Sequence, residues 1–219
     1  MQPSSIKITI KSKTIVIGLQ RPFTVLSWAP FNGGLTETTC IFNHECEKFE
    51  ENDIPQIFDN VIRKHELPDN SVGLLTGAKI SRYQEAFLKS DRIWVHAIAT
   101  VGLNNARTAG DKADVVQGET ANQNGTINLI LASNALPHVS GLMEAAHVAT
   151  MAKTSTMIET GIKSKKSGEP ATGTGTDCIV VASSGEVKEN YCGMHTVLGE
   201  MIGNTVKQVI AKGIDKWPN

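Results

Sequence analysis

The chain has 219 residues, a formal net charge of −1 and 40% hydrophobic residues. That length can bury a full core, and the near-neutral balance argues against nucleic acid or an acidic membrane surface as a partner. The four cysteines form no CxxC pair, and no apolar run is long enough for a membrane span, so a soluble cytoplasmic protein with reduced thiols is expected.

The chain opens as strands. Ile6, Ile8 and Ile10 alternate with polar residues, a turn over 11–13 follows, and residues 14–19, 23–28 and 37–42 read as further strands. Pro30-Phe31-Asn32-Gly33-Gly34 is a strong loop signal between the last two. Asn52 or Asp53 can cap a helix beginning near Pro55, with Ile57, Phe58, Val61 and Ile62 at helical spacing. Residues 71–75 read as a strand, 80–88 as a helix, and 93–101 as a strand apolar enough to be central. A long polar segment, 104–125, follows; at this length it is a candidate lid. Residues 126–132 return to a core strand. Ser140 can cap a helix that ends near Gly161, 178–183 read as a strand, and a closing helix runs from about Thr196 to Lys212, stopped by Gly213. Strands cluster early and helices late, with no linker or repeat. The expected fold is therefore α+β, a single domain over 1–219 with a mixed β-sheet packed against helices.

Four segments carry candidate chemistry. The first is TGTGTD, residues 172–177, placed directly before a core strand. Its glycines let backbone amides approach a ligand, Thr172, Thr174 and Thr176 offer hydroxyls, and Asp177 offers a proton acceptor. It matches neither a P-loop nor a dinucleotide fingerprint, since no Gly-Lys-Ser/Thr follows and the next element is a strand. A tight turn before a strand is the plainer alternative. The second segment, 101–111, leaves a strand and turns polar, with Asn104 and Asn105 as paired amides and Arg107 suited to phosphate or carboxylate, or to a surface loop. The third places Asn128 inside an apolar run, where a buried amide needs partners. The fourth sets His195 before the last helix, as a general base or as a polar residue at a helix start. HExxH and GxSxG are absent. Cys40 and Cys46 flank His44, which reads as a strand residue and a loop thiol in preference to a metal clip.

Together these segments resemble the adenosylcobinamide amidohydrolase (CbiZ) family. The matching residues are Asn32-Gly33-Gly34, the 101–111 segment, 125–128, Ala152-Lys153-Thr154, the 171–177 segment, and His195-Thr196 with Leu198-Gly199-Glu200 and Ile202-Gly203. The resemblance implies an amidase that removes the aminopropanol arm of adenosylcobinamide, releasing adenosylcobyric acid and 1-amino-2-propanol in corrinoid salvage for adenosylcobalamin synthesis. Cys178 and Cys192 stand where the family has a small residue, which argues against either thiol as nucleophile.

On that resemblance, Asp177 with His195 supplies the base, and Thr174 or Thr176 is the nucleophile or positions a water. Backbone N–H groups around Gly173 and Gly175 stabilise the oxyanion. Asn32, Gly33, Gly34, Asn104, Asn105 and Asn128 bind the peripheral amides of the corrin, and Arg107 and Asp111 either join them or hold each other. No cofactor is expected, the corrinoid being the substrate; metal-free hydrolysis is favoured, and a site using Asp177, His195 and Asp111 around one metal stays open. A corrinoid-binding module without turnover, or a hydrolase of another amide, are the competing classes.

Overall fold

A computed structural model describes residues 5–46, 53–114, 125–136 and 138–218. Among them the order is β1 (Ile6–Lys11), β2 (Thr14–Ser27), β3 (Gly34–Glu45), α1 (Ile54–His65), β4 (Val72–Thr76), β5 (Gln84–Ser90), β6 (Ile93–Val101), β7 (Ala106–Arg107), β8 (Ile127–Ser133), α2 (Val139–Glu159), β9 (Gly173–Thr174), β10 (Cys178–Ser183) and α3 (Val197–Asp215). Eight strands form one mixed sheet in the order β4-β3-β2-β10-β8-β6-β5, with β1 also paired to β2; β7 and β9 form a two-stranded ribbon of their own. The β3–β4 and β8–β10 pairs are parallel and the rest antiparallel. Helices α1 and α2 lie in the crossovers that such parallel pairs require. The fold is α+β, as the sequence suggests.

The sheet rolls over on itself. Phe23 of β2 and Trp94 of β6, three strands apart in the sheet order, bring their rings within 6.4 Å. Alternate residues drive this. Ile15, Ile17, Leu19, Phe23 and Val25 of β2 face inward with Ile98 of β6, Ile130 of β8 and Val180 of β10. The opposite sides take the helices: Phe42 and Leu75 pack on Phe58 and Val61 of α1, while Leu129, Leu131, Ile179 and Val181 pack on α2 and α3. Each fully buried side chain of this kind contributes about 1.5–3 kcal/mol. The layers run helix, sheet half, sheet half, helices.

Three expectations change. Residues 14–19 and 23–28 join as one long strand. Pro22 falls at the register break between Gly18 and Phe23, past the end of the β1 pairing at Leu19 and before the β10 pairing at Thr24; a residue without an N–H is tolerated there. The helix expected over 80–88 is a 3₁₀ turn, Ile80–Arg82, followed by β5. Gln84 and Ala86 are buried at period two, and the strand pairs with β6 through a hairpin turn at Asp91, φ 52°. Gly213 does not stop the last helix, which runs on to Asp215. A Cβ at Gly213 would lie 2.9 Å from Val101 Cβ, so the glycine lets α3 approach β6. Gly161 does follow α2 with φ 72°, as a helix-ending glycine should. No helix among the described residues is long and apolar enough to cross a membrane.

Candidate active site

The TGTGTD loop is anchored by the ribbon of β7 and β9, which pairs Ala106 with Thr174 and Arg107 with Gly173. The chain then turns into β10, whose residues alternate between the inner layer (Cys178, Val180) and the α2 side (Ile179, Val181). Asp177 continues that alternation. Its carboxylate points toward α2, where it meets the ammonium of Lys153 in a short ion pair. The two side chains are 11% and 7% exposed, so this charge pair is largely shielded from solvent.

Asp177 gathers further donors. Oδ1 accepts the Ile127 N–H at 3.1 Å and the Thr174 hydroxyl, and Oδ2 accepts the Thr174 N–H at 3.1 Å. With Lys153, four donors converge on two oxygens, nearly the full capacity of a carboxylate. The Asp177 carbonyl accepts the indole N–H of Trp28 at 2.7 Å. Gly173 makes the cluster possible: a Cβ there would sit 2.6 Å from Lys153 Nζ and would also strike the Asp177 carboxylate. Gly175 serves Asn105 in the same way, since its Cβ would lie 2.9 Å from Asn105 Oδ1.

A pocket of about 300 Å³ opens beside Asp177. Trp28, Thr176, Cys178, Thr126, Gly125 and Asn128 belong to its wall. Asn128 closes its inner end by joining the two halves of the rolled sheet: Nδ2 donates to Asn43 Oδ1 at 3.0 Å and to the Leu75 carbonyl at 2.8 Å. Asn43 in turn donates to Thr100 at 2.9 Å. Both amide hydrogens of Asn128 are thus spent on structure, and its oxygen faces the Thr126 hydroxyl at 3.5 Å. Thr126 donates to the Thr176 carbonyl at 2.7 Å, and Thr176 donates to the Gly125 carbonyl at 3.2 Å. The Cys178 thiol is pushed up to about 12 by burial and by the neighbouring Asp177 charge. Cys192 is likewise pushed up to about 12, by burial and by Glu144. Both thiols are therefore protonated at neutral pH.

The structure brings Asp177, Thr174, Thr176, Gly173, Gly175 and Asn105 into one loop cluster. Asn105 accepts the Gly175 N–H at 3.0 Å through its carbonyl and the Arg107 Nε–H at 3.3 Å through its side chain. Asn104 packs against Gly125 at the pocket wall. The N–H groups of Thr174 and Gly175, expected to meet an oxyanion, are both occupied.

Other residues lie apart. His195 is exposed at the start of α3. A Cβ at Gly193 would meet both the His195 ring, at 3.1 Å, and Glu144, at 3.3 Å, and Glu144 accepts the Cys192 N–H at 2.6 Å. Glu144 and Lys153 are two and a half turns apart along α2, roughly 13 Å, so His195 does not share the Asp177 cluster. Asn32, at φ 52°, spends its amide on the Asp69 and Ser71 carbonyls, each at 2.9 Å. Gly33 backs onto Ala29, and Gly34 turns into β3 with φ 96°; all three lie outside the pocket wall. Arg107 pairs with Asp114. Asp111 closes a turn on the Thr108 N–H and binds Ser164; the Ser164 hydroxyl, then Ser167 and Thr108, hold its carboxyl below the usual range, and the Arg107 charge also helps to lower it. Asp177, His195 and Asp111 therefore sit in three separate settings, and among the described residues no three His, Cys, Asp or Glu side chains form a metal-holding group. Of the proposed lid over 104–125, residues 115–124 lie outside the described residues.

Sequence reasoning left Lys153 and Trp28 off the site. The signal for Lys153 is a single lysine on the apolar face of α2, beside Ala149, Ala152 and Met157; a buried lysine calls for a carboxylate partner. Trp28 carries no comparable mark.

A family model described as adenosylcobinamide amidohydrolase matches residues 2–219. An adenosylcobinamide amidohydrolase of Methanosarcina mazei is 29% identical, over 94% of this chain and 96% of its own. An uncharacterized protein of Methanocaldococcus jannaschii is 30% identical, over 94% of this chain and 87% of its own. Among solved structures, a Pyrococcus horikoshii protein aligns over 97% of this chain and 84% of its own, at 12% identity and a TM-score of 0.47. A Burkholderia β-aminopeptidase aligns over 94% and 79%, at 11% identity and 0.45. At such scores neither likeness bears on function.

Proposed function

The chain belongs to the adenosylcobinamide amidohydrolase family, and from that premise we propose that one domain over 1–219 hydrolyses the aminopropanol amide of adenosylcobinamide to adenosylcobyric acid and 1-amino-2-propanol, in corrinoid salvage. The observation that carries the chemistry is the part-buried Lys153–Asp177–Thr174 cluster, of which Asp177 also belongs to the wall of a pocket.

Amide hydrolysis needs an attacking oxygen, an acceptor for its proton and compensation for the oxyanion. In this reading the attacking oxygen is the Thr174 hydroxyl, or a water that it positions, and Asp177 Oδ1 takes the proton and hands it to the amide nitrogen as the C–N bond breaks and 1-amino-2-propanol leaves; on the Thr174 route a water then hydrolyses the acyl ester. Lys153 replaces His195 in the assignment. Its ammonium holds Asp177 in place and has further N–H donors for the oxyanion, in the role first assigned to the loop amides. Thr176 offers its hydroxyl from the pocket wall. About 300 Å³ suits an amide side arm and not a macrocycle, so the arm enters while the corrin stays at the mouth. Asn104, beside Gly125 of the wall, is the member of the 104–107 segment that lies nearest the pocket. The separate settings of Asp111, Asp177 and His195 favour hydrolysis without a metal bridging them.

The test is to incubate the protein with adenosylcobinamide, with and without chelator, and follow adenosylcobyric acid by mass spectrometry. Product formation that survives chelation is expected, as is a loss of about 10³-fold or more in Asp177→Asn, in the range for removing a central catalytic group. A near-normal rate in that variant overturns the role of Asp177. Tight binding without product would leave a corrinoid-binding module.

A further inference from the structure

Trp28 stands at the end of β2 beside Asp177. It is 55% exposed, far more than a large aromatic side chain on a folded surface needs to be, and it lines the pocket. Its orientation is nevertheless fixed, because the indole N–H donates to the Asp177 carbonyl at 2.7 Å. The polar edge of the ring is thus satisfied within the protein, and what remains toward solvent is apolar aromatic surface. The pocket wall also includes Pro30, Ile54 and Leu74, so the lining it shares with Trp28 is partly apolar. The same wall carries the hydroxyl side chains of Thr126 and Thr176.

We propose that Trp28 is a binding platform on which the apolar flank of the substrate macrocycle rests while its amide arm enters the pocket. This rests on the functional reading above. A pocket too small for the ring leaves the ring outside, and an aromatic surface held rigid at the entrance gives it a contact with little ordering cost. Trp28 positions substrate and takes no part in proton transfer. Its contribution therefore belongs to KM and not to kcat. Its hydrogen bond also ties it to the backbone of the residue whose carboxylate holds Thr174, so a substrate resting on the ring is placed in fixed register with the reacting groups.

The experiment compares Trp28→Ala and Trp28→Phe with the unaltered chain, measuring kcat and KM for adenosylcobinamide and the Kd for cobinamide lacking the adenosyl ligand. Trp28→Ala is expected to raise KM and Kd about 10- to 100-fold, the range for losing one stacked aromatic contact, with kcat within about threefold. Trp28→Phe keeps the aromatic surface and loses the N–H bond; it is expected to recover most of the affinity. If Trp28→Phe fails like Trp28→Ala, or if either variant loses kcat with KM unchanged, the residue only braces Asp177 and the proposal is overturned. An effect confined to the adenosylated corrinoid also overturns it, since the contact would then be to the upper ligand. Should the unaltered chain bind cobinamide but release no aminopropanol, the hydrolase reading fails while the Kd comparison still decides the role of Trp28. Absence of corrinoid binding overturns both.

Discussion

Replacing Lys153 with methionine removes one half of the buried pair while keeping the length and apolar stem of the side chain. Asp177 is left 11% exposed without its cation. Breaking a buried pair from one side costs about 3–5 kcal/mol. The Ile127 N–H, the Thr174 N–H and the Thr174 hydroxyl remain on the carboxylate and offset part of this, which places the expected loss near the lower end, about 3 kcal/mol. For a chain of this size each kcal/mol lowers Tm by about 2–4 °C, so a fall of roughly 6–12 °C is expected. Urea unfolding followed by far-UV circular dichroism gives the free energy, and a thermal scan gives Tm. The control is Lys153→Met combined with Asp177→Asn, which removes both charges and is expected to regain at least half of the loss. A single variant within about 1 kcal/mol of the unaltered chain would show that water screens the pair. A double variant no more stable than the single one would show that the loss is one of packing. Either result refutes the picture of Asp177 as a buried carboxylate held by one cation.

Two further expectations follow, one from this cluster and one from a histidine pair elsewhere in the fold. Gly173→Ala places a methyl 2.6 Å from Lys153 Nζ; activity is expected to fall at least tenfold with an unchanged circular dichroism spectrum, and a rate within twofold would show that the cluster yields without cost. Stability is expected to fall as pH drops from 7.5 to 5.5. Burial, aided by neighbouring positive charges, lowers the pKa of both His44 and His65, whose rings share the Thr14 hydroxyl at 2.9 and 3.2 Å. Below about 6.5 the unfolded chain binds more protons than the folded one, so stability declines with acidification toward the lowered folded values. His44→Gln with His65→Gln should reduce the slope of Tm against pH, and an equal slope would show that these residues are not its source.

Much of the chain is legible locally. The 178–183 run, the α2 boundary at Gly161 and the loop at Asn32-Gly33-Gly34 follow from alternation, glycine conformation and turn chemistry, and each stands where the residues indicate. The misreadings have tertiary causes. Residues 84–90 form an edge strand because β6 offers a partner, which helical spacing over so short a stretch does not reveal. Gly213 looks like a stop and is a contact, because the space it leaves is taken by Val101 from another element.

The site divides in the same way. The sequence by itself determined that Gly173, Thr174, Gly175, Thr176 and Asp177 form a polar loop ahead of a core strand, because short-range spacing is enough to specify a turn and the alternation that aims Asp177. Only the tertiary structure decided which residues share the loop's surroundings. His195 stands near Asp177 in the chain but lies with Glu144, well along α2. Lys153 comes from that helix and Trp28 from the end of β2, and both meet Asp177. The reason is physical: a buried carboxylate takes its partners from whatever the packing of helix on sheet brings within hydrogen-bond reach, and separation along the chain does not record that distance.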